Sequence, residues 1–104
     1  VGKIYIATVE KQPAEIIPVG VDFRKNLSVG EALTMGSCSS VVYNEGGEDV
    51  SDDLIVENSL SISGTVLSVK VTGGLSGVRY KLSIRGGTTL GNLYEGDLLL
   101  KIVD

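Results

Sequence analysis

Histidine and tryptophan are absent from this chain, and cysteine, methionine and phenylalanine occur once each. Without histidine there is no side chain whose ordinary pKa makes it a base near neutral pH, and the commonest zinc ligand is missing. A Ser-His-Asp or Cys-His catalytic site is thereby excluded, and Ser28, Ser37, Ser39 and Ser40 have no base to activate them. The lone Cys38 excludes an internal disulfide, so core packing and strand pairing must hold the fold. With no helix expected to lower its pKa, Cys38 reads as a small strand residue packed as a hydrophobe. Four tyrosines and one phenylalanine, with no tryptophan, leave little aromatic surface on which a sugar could stack.

Basic charge is also scarce. Nine lysines and arginines stand against thirteen acidic residues, a net charge of -4, which works against non-specific binding to nucleic acid. No apolar run approaches the roughly 20 residues of a membrane-spanning helix. Residues 1–9 lack the long apolar region and small-residue cleavage site of an export signal, so synthesis in the cytoplasm is expected. The Asn26-Leu27-Ser28 sequon consequently carries no weight.

What is present points to strands. The 104 residues, 42% hydrophobic and 21% charged, suit one domain over 1–104 with one core. Fourteen glycines and two prolines fit short strands joined by glycine turns. Residues 3–9 (KIYIATV) read as a first strand, apolar on both faces. Residues 12–23, with Pro13 and Pro18, read as an edge segment crossing between sheets, because proline cannot donate to a ladder. Residues 33–43 (LTMGSCSSVVY) alternate in part and are expected to form a long second strand. Residues 44–53, with five carboxylates and two adjacent glycines, form an exposed loop. Short strands follow at 54–56 and 59–63, then a regular one at 65–72 (TVLSVKVT). Residues 73–77 supply a turn, and 78–85 (VRYKLSIR) alternate most cleanly, with Val78, Tyr80, Leu82 and Ile84 inward. Residues 86–92 are read as another glycine turn, and 97–103 as the last strand of a C-terminal hairpin. The expected fold is all-β, an Ig-like antiparallel β-sandwich of about seven to eight strands, with a small closed barrel as the competing architecture.

Candidate binding residues are few. Glu45, Glu48, Asp49, Asp52 and Asp53 supply the oxygens a calcium ion would need, but no D-x-D-x-D-G spacing occurs and a solvated loop explains them better. Neither a G-x-x-x-x-G-K-[ST] nor a G-x-G-x-x-G phosphate loop is present. Arg79, Lys81 and Arg85 share the outer face of one strand, an arrangement that suits an acidic partner surface and ordinary solvation alike. No catalytic, metal-binding or cofactor-binding residue is expected, and no cofactor. The expected partner surface comprises Pro13, Pro18, the five carboxylates and the three cations.

Lys11-Gln12-Pro13-Ala14-Glu15, Val21-Asp22-Phe23, Leu27, Gly30-Glu31, Gly73-Gly74, Gly77, Tyr80 and the closing strand resemble, in order and spacing, small tailed-bacteriophage virion proteins of the fiber-tail adaptor type. The chain departs from their commoner pattern in lacking tryptophan and in its serine-rich second strand. The resemblance implies a non-enzymatic structural protein of a phage or prophage particle that joins tail, fiber or head-surface components. Its partners would be other virion proteins, with a homo-oligomer allowed and neither nucleic acid nor membrane involved. It also implies bends organised by Asp22 and Glu31 and a hairpin permitted by Gly73, Gly74 and Gly77. The competing reading is an Ig-like carbohydrate- or cell-surface-binding module of a bacterial protein.

Overall fold

A computed structural model describes residues 7–104 and shows seven strands in two sheets. These are β1 (Ala7–Lys11), β2 (Ile17–Asp22), β3 (Ser39–Tyr43), β4 (Ser61–Ser63), β5 (Val66–Val71), β6 (Arg79–Gly87) and β7 (Leu93–Ile102). One sheet has the order β1-β7-β6-β3 and the other β2-β5-β4. With β2 to β7 lettered B to G, these are the G-F-C and B-E-D groupings of the immunoglobulin sandwich. The fold is therefore an all-β, Ig-like sandwich.

Alternation builds the core. Val19 and Val21 of β2 face Val69 and Leu67 of β5, while Val42, Leu82 and Leu98 form a row across β3, β6 and β7. All seven are buried, together with Phe23, Ile84, Leu100 and Ile102. Each such side chain removed from water stabilises the fold by about 1.5–3 kcal/mol.

Five expectations need correcting. First, β1 pairs with β7 in parallel, Ala7 opposite Leu98 and Lys11 opposite Ile102, so the sandwich is not wholly antiparallel. Antiparallel pairing is imposed on strands joined by a short turn, and β1 and β7 are not so joined. The expected strand at 3–9 is described only from residue 7, with residues 3–6 outside the described part, and it runs on to Lys11.

Second, residues 33–43 do not form one strand. Leu33 makes an isolated bridge to Thr88, Met35–Ser37 form a 3-10 turn, and β3 begins only at Ser39. The segment passes around the end of β6. A Cβ on Gly86 would lie 2.9 Å from Cδ2 of Leu33, and one on Gly87 would lie 2.2 Å from Cβ of Ser37. Gly86 and Gly87 thus sit inside β6 as points of close approach, and the turn is confined to residues 88–92.

Third, β7 starts at Leu93 rather than Asp97, because the register carries β6 and β7 together up to Gly87 and Leu93. Fourth, residues 73–77 are not a hairpin, since they link β5 in one sheet to β6 in the other. Gly74 has φ +96, and a Cβ there would meet Ile102 Cγ1 at 2.6 Å. Fifth, Leu54 is not in a strand. It closes a single helical turn, α1 (Ser51–Leu54), buried against the core, and only Ile55 makes a bridge, to Val71.

Candidate functional site

At one end of the sandwich the chain from β2 to β3 closes on the β6–β7 turn around Glu31. This carboxylate is buried and accepts from Thr88 Oγ1 at 2.5 Å, from Asn92 Nδ2 at 2.9 Å and from the Ser28 N–H at 2.9 Å. All three donors are neutral. They favour the charged form, Thr88 most strongly, and hold the Glu31 pKa below the usual carboxylate value. The Thr34 N–H donates to Gly87 O at 2.8 Å and the Thr89 N–H to Ala32 O at 2.9 Å, so the two segments form one stiff tip. Val29, Met35, Leu90 and Leu93 are exposed on it. Residues 26–40 and 86–94 contain no charged side chain apart from Glu31.

The opposite end is acidic and is organised by Lys11. Its side chain is 1% exposed, and Nζ donates to Gln12 O at 2.7 Å, to Gly73 O at 2.5 Å and more distantly to Pro13 O at 3.4 Å. Loss of hydration pushes the Lys11 pKa down, while the Glu15 charge pulls it up. Gly73 in turn abuts the backbone of Asp53, 3.2 Å from where its Cβ would be. The turn after β1, the 73–77 crossing and the acidic loop therefore meet at this end. The Tyr80 hydroxyl accepts from the Leu75 N–H at 3.1 Å, the tyrosine corner of Ig-type sandwiches.

Between α1 and this crossing lies a groove of about 540 Å³, walled by Val50, Leu54, Leu75, Val78 and Tyr80, with Asn44, Gly46, Glu45 and Asp53 at its edge. Glu45 Oε1 accepts the Arg79 backbone N–H at 3.2 Å. Glu48 is tied to Asn44 at 3.2 Å. Asp49 accepts from the hydroxyl and N–H of Ser51 at 2.6 and 2.9 Å, bonds that lower its pKa. Asp52 and Asp53 are exposed in the first turn of α1. Among the described residues no three Cys, Asp or Glu side chains are placed to hold a metal ion.

The structure brings Pro13 to the acidic end through Lys11 but leaves Pro18 exposed on β2, opposite Lys70 at the edge of the other sheet. Arg79, Lys81 and Arg85 do share one face, yet two of them are engaged. Lys81 lies 3.6 Å from Asp97 and 5.6 Å from the centre of the Tyr43 ring, and Arg85 lies 2.8 Å from Glu95. Sequence reasoning missed the apolar tip, whose signal was the want of charge over two separate stretches.

The residues that carry the family resemblance are now accounted for physically. Lys11 ties two loops, Glu15 Oε1 accepts the Gln12 N–H at 2.6 Å, and Asp22 Oδ1 accepts from Arg24 N–H at 2.9 Å and Thr65 Oγ1 at 2.7 Å. Glu31 holds the tip and Tyr80 pins the crossing. They are the joints of the sandwich and leave the exposed contact positions unassigned. A search of curated proteins finds no match. The family model described as podophage GP4 fiber-tail adaptor protein gp77 matches residues 11–101, and the chain belongs to that family.

Proposed function

We propose that the domain is a non-enzymatic joint of a tailed-phage or prophage particle, connecting tail, fiber or head-surface components through protein–protein contacts. The observation that carries this reading is the chemical contrast between its two ends. An adaptor must hold two unlike neighbours, and here a stiff tip with exposed apolar side chains, its one carboxylate (Glu31) buried, stands opposite an acidic end with a groove. Exposed apolar side chains without charges among them have the composition of an interface centre. The carbohydrate-binding alternative lacks support, because Phe23 and Tyr80 are buried and Tyr43 and Tyr94 half-buried, which leaves no aromatic platform among the described residues. The protein would be made in the host cytoplasm and end in the virion.

Mass spectrometry of purified particles tests the reading directly. The chain should be found in fixed ratio to tail proteins, and particles made without it should lack one attached component. Complete, infectious particles free of the chain refute it.

A further inference from the structure

We infer that the groove at the acidic end seats a segment of a partner virion protein in which an apolar side chain adjoins a lysine or arginine, a deduction that rests on the adaptor reading. The walls are aliphatic and aromatic, and Leu75, 69% exposed, extends one of them into solvent. The edge carries Glu45 and Asp53, and no cation lines the groove. Among the described residues Asp53 makes no side-chain hydrogen bond or ion pair, and the Glu45 side chain makes one hydrogen bond, accepting the Arg79 N–H. An apolar side chain entering between Leu54, Val78 and Tyr80 would carry its neighbours to the height of these two carboxylates. There a cation gains from a negative field beside low-dielectric protein, whereas a carboxylate would be repelled.

The groove is also pre-shaped, which lowers the cost of filling it. The Tyr80 hydroxyl holds Leu75, the Gly77 N–H donates to Ile102 O at 2.8 Å, and Lys11 fixes Gly73. These bonds fix the crossing, and the Thr72 N–H donating to Leu54 O at 2.8 Å ties the α1 wall to the start of that crossing. The carboxylates of Glu48 and Asp49 are committed within their own loop, which leaves Glu45 and Asp53 as the pair that sets the sign of the partner.

Backbone amide NMR titration of the whole chain with three capped peptides, Ac-Lys-Leu-Lys-NH2, Ac-Ser-Leu-Ser-NH2 and Ac-Glu-Leu-Glu-NH2, tests this. The lysine peptide should move the Gly46, Gly74 and Leu75 signals saturably, and the serine and glutamate peptides should bind at least about tenfold more weakly. Glu45→Lys with Asp53→Lys, both on exposed positions, should abolish the preference while leaving the spectrum folded. Equal affinity for the three peptides, shifts confined to other surfaces, or no shift at all overturns the assignment. In particles, the double variant should be incorporated about tenfold less than the natural chain. Normal incorporation of the variant sinks the groove assignment alone, whereas absence of the natural chain sinks the adaptor reading itself.

Discussion

Alanine at Gly87 puts a single methyl group where the tip is assembled. Its carbon would lie 2.2 Å from Cβ of Ser37, 2.6 Å from the Ser37 carbonyl oxygen and 3.0 Å from the carbonyl carbon. Carbon atoms rest at about 3.5–4.0 Å, so the 35–37 turn must retreat by more than an ångström. That movement loads the Thr34 N–H to Gly87 O bond, 2.8 Å long. Overpacking of this kind costs about 1–3 kcal/mol, and losing the bond adds about 1 kcal/mol. The reduced freedom of the unfolded chain returns about 0.4–1 kcal/mol. A net loss of about 1–3.6 kcal/mol is expected, equivalent to roughly 5–17 °C in Tm for a domain near this size. Urea unfolding followed by circular dichroism should show a lower midpoint with an unchanged slope. Ser37→Gly should restore less than half of the loss, because the backbone contacts at 2.6 and 3.0 Å persist. Gly36→Ala, with no atom within 4 Å of its Cβ, is the control and should be neutral or slightly stabilising. A Gly87→Ala protein within about 0.5 kcal/mol of the parent, the range of ordinary surface substitutions, would refute the close-approach account.

Three further outcomes are expected. Tyr80→Phe removes the acceptor for the Leu75 N–H and should cost about 0.5–1.5 kcal/mol, with faster hydrogen exchange at Leu75 in NMR. Lys11→Ala should destabilise more than Lys11→Met in thermal melts, since methionine keeps the buried stem while both leave the Gly73 carbonyl without its Nζ donor, at about 1–3 kcal/mol, and the Gln12 carbonyl keeps the Glu15 N–H at 3.1 Å. In acid, hydrogen bonds to Glu31, Asp22 and Asp49 hold their pKa values below 4.5, 3.8 and 3.8. Their stabilisation is complete above those unfolded values and is lost as pH falls through the lower folded ones. Glu31→Gln should flatten part of that acid limb in a urea-midpoint against pH series, and an unchanged limb would remove Glu31 from the account.

The strands that were legible in the sequence each have one wet and one dry face. β5 shows this best, for its partners lie on both sides and the period of two is unbroken; in β6 the alternation holds to Leu82 and breaks at Ser83, which is buried with its hydroxyl on Asp97. Residues 33–43 were not legible as built, because the break at Met35–Ser37 answers to Gly86 and Gly87, which are remote in the chain. Glycine marks either a positive φ or a close approach, and the pair at 86 and 87 gives no local sign of which. The parallel pairing of β1 was hidden for the same reason, since register between chain-distant strands leaves no local mark. At the acidic end, exposure of the carboxylates could be read from composition. The engagement of Lys81 and Arg85 could not, as it depends on Ser83 standing opposite Asp97 and Arg85 opposite Glu95. Lys11 and Glu31 were concealed by their chemistry, because lysine and glutamate are seldom fully buried.

The parallel pairing of β1 and β7 bears on how the domain carries load. Both strands point the same way, so tension applied between the start of β1 and the end of β7 runs along their shared axis. The evenly spaced bonds from Ala7–Leu98 to Lys11–Ile102 are then sheared together, where a hairpin pulled open at its ends would part them one by one. A module built in this way yields abruptly and late when it is pulled from these two points.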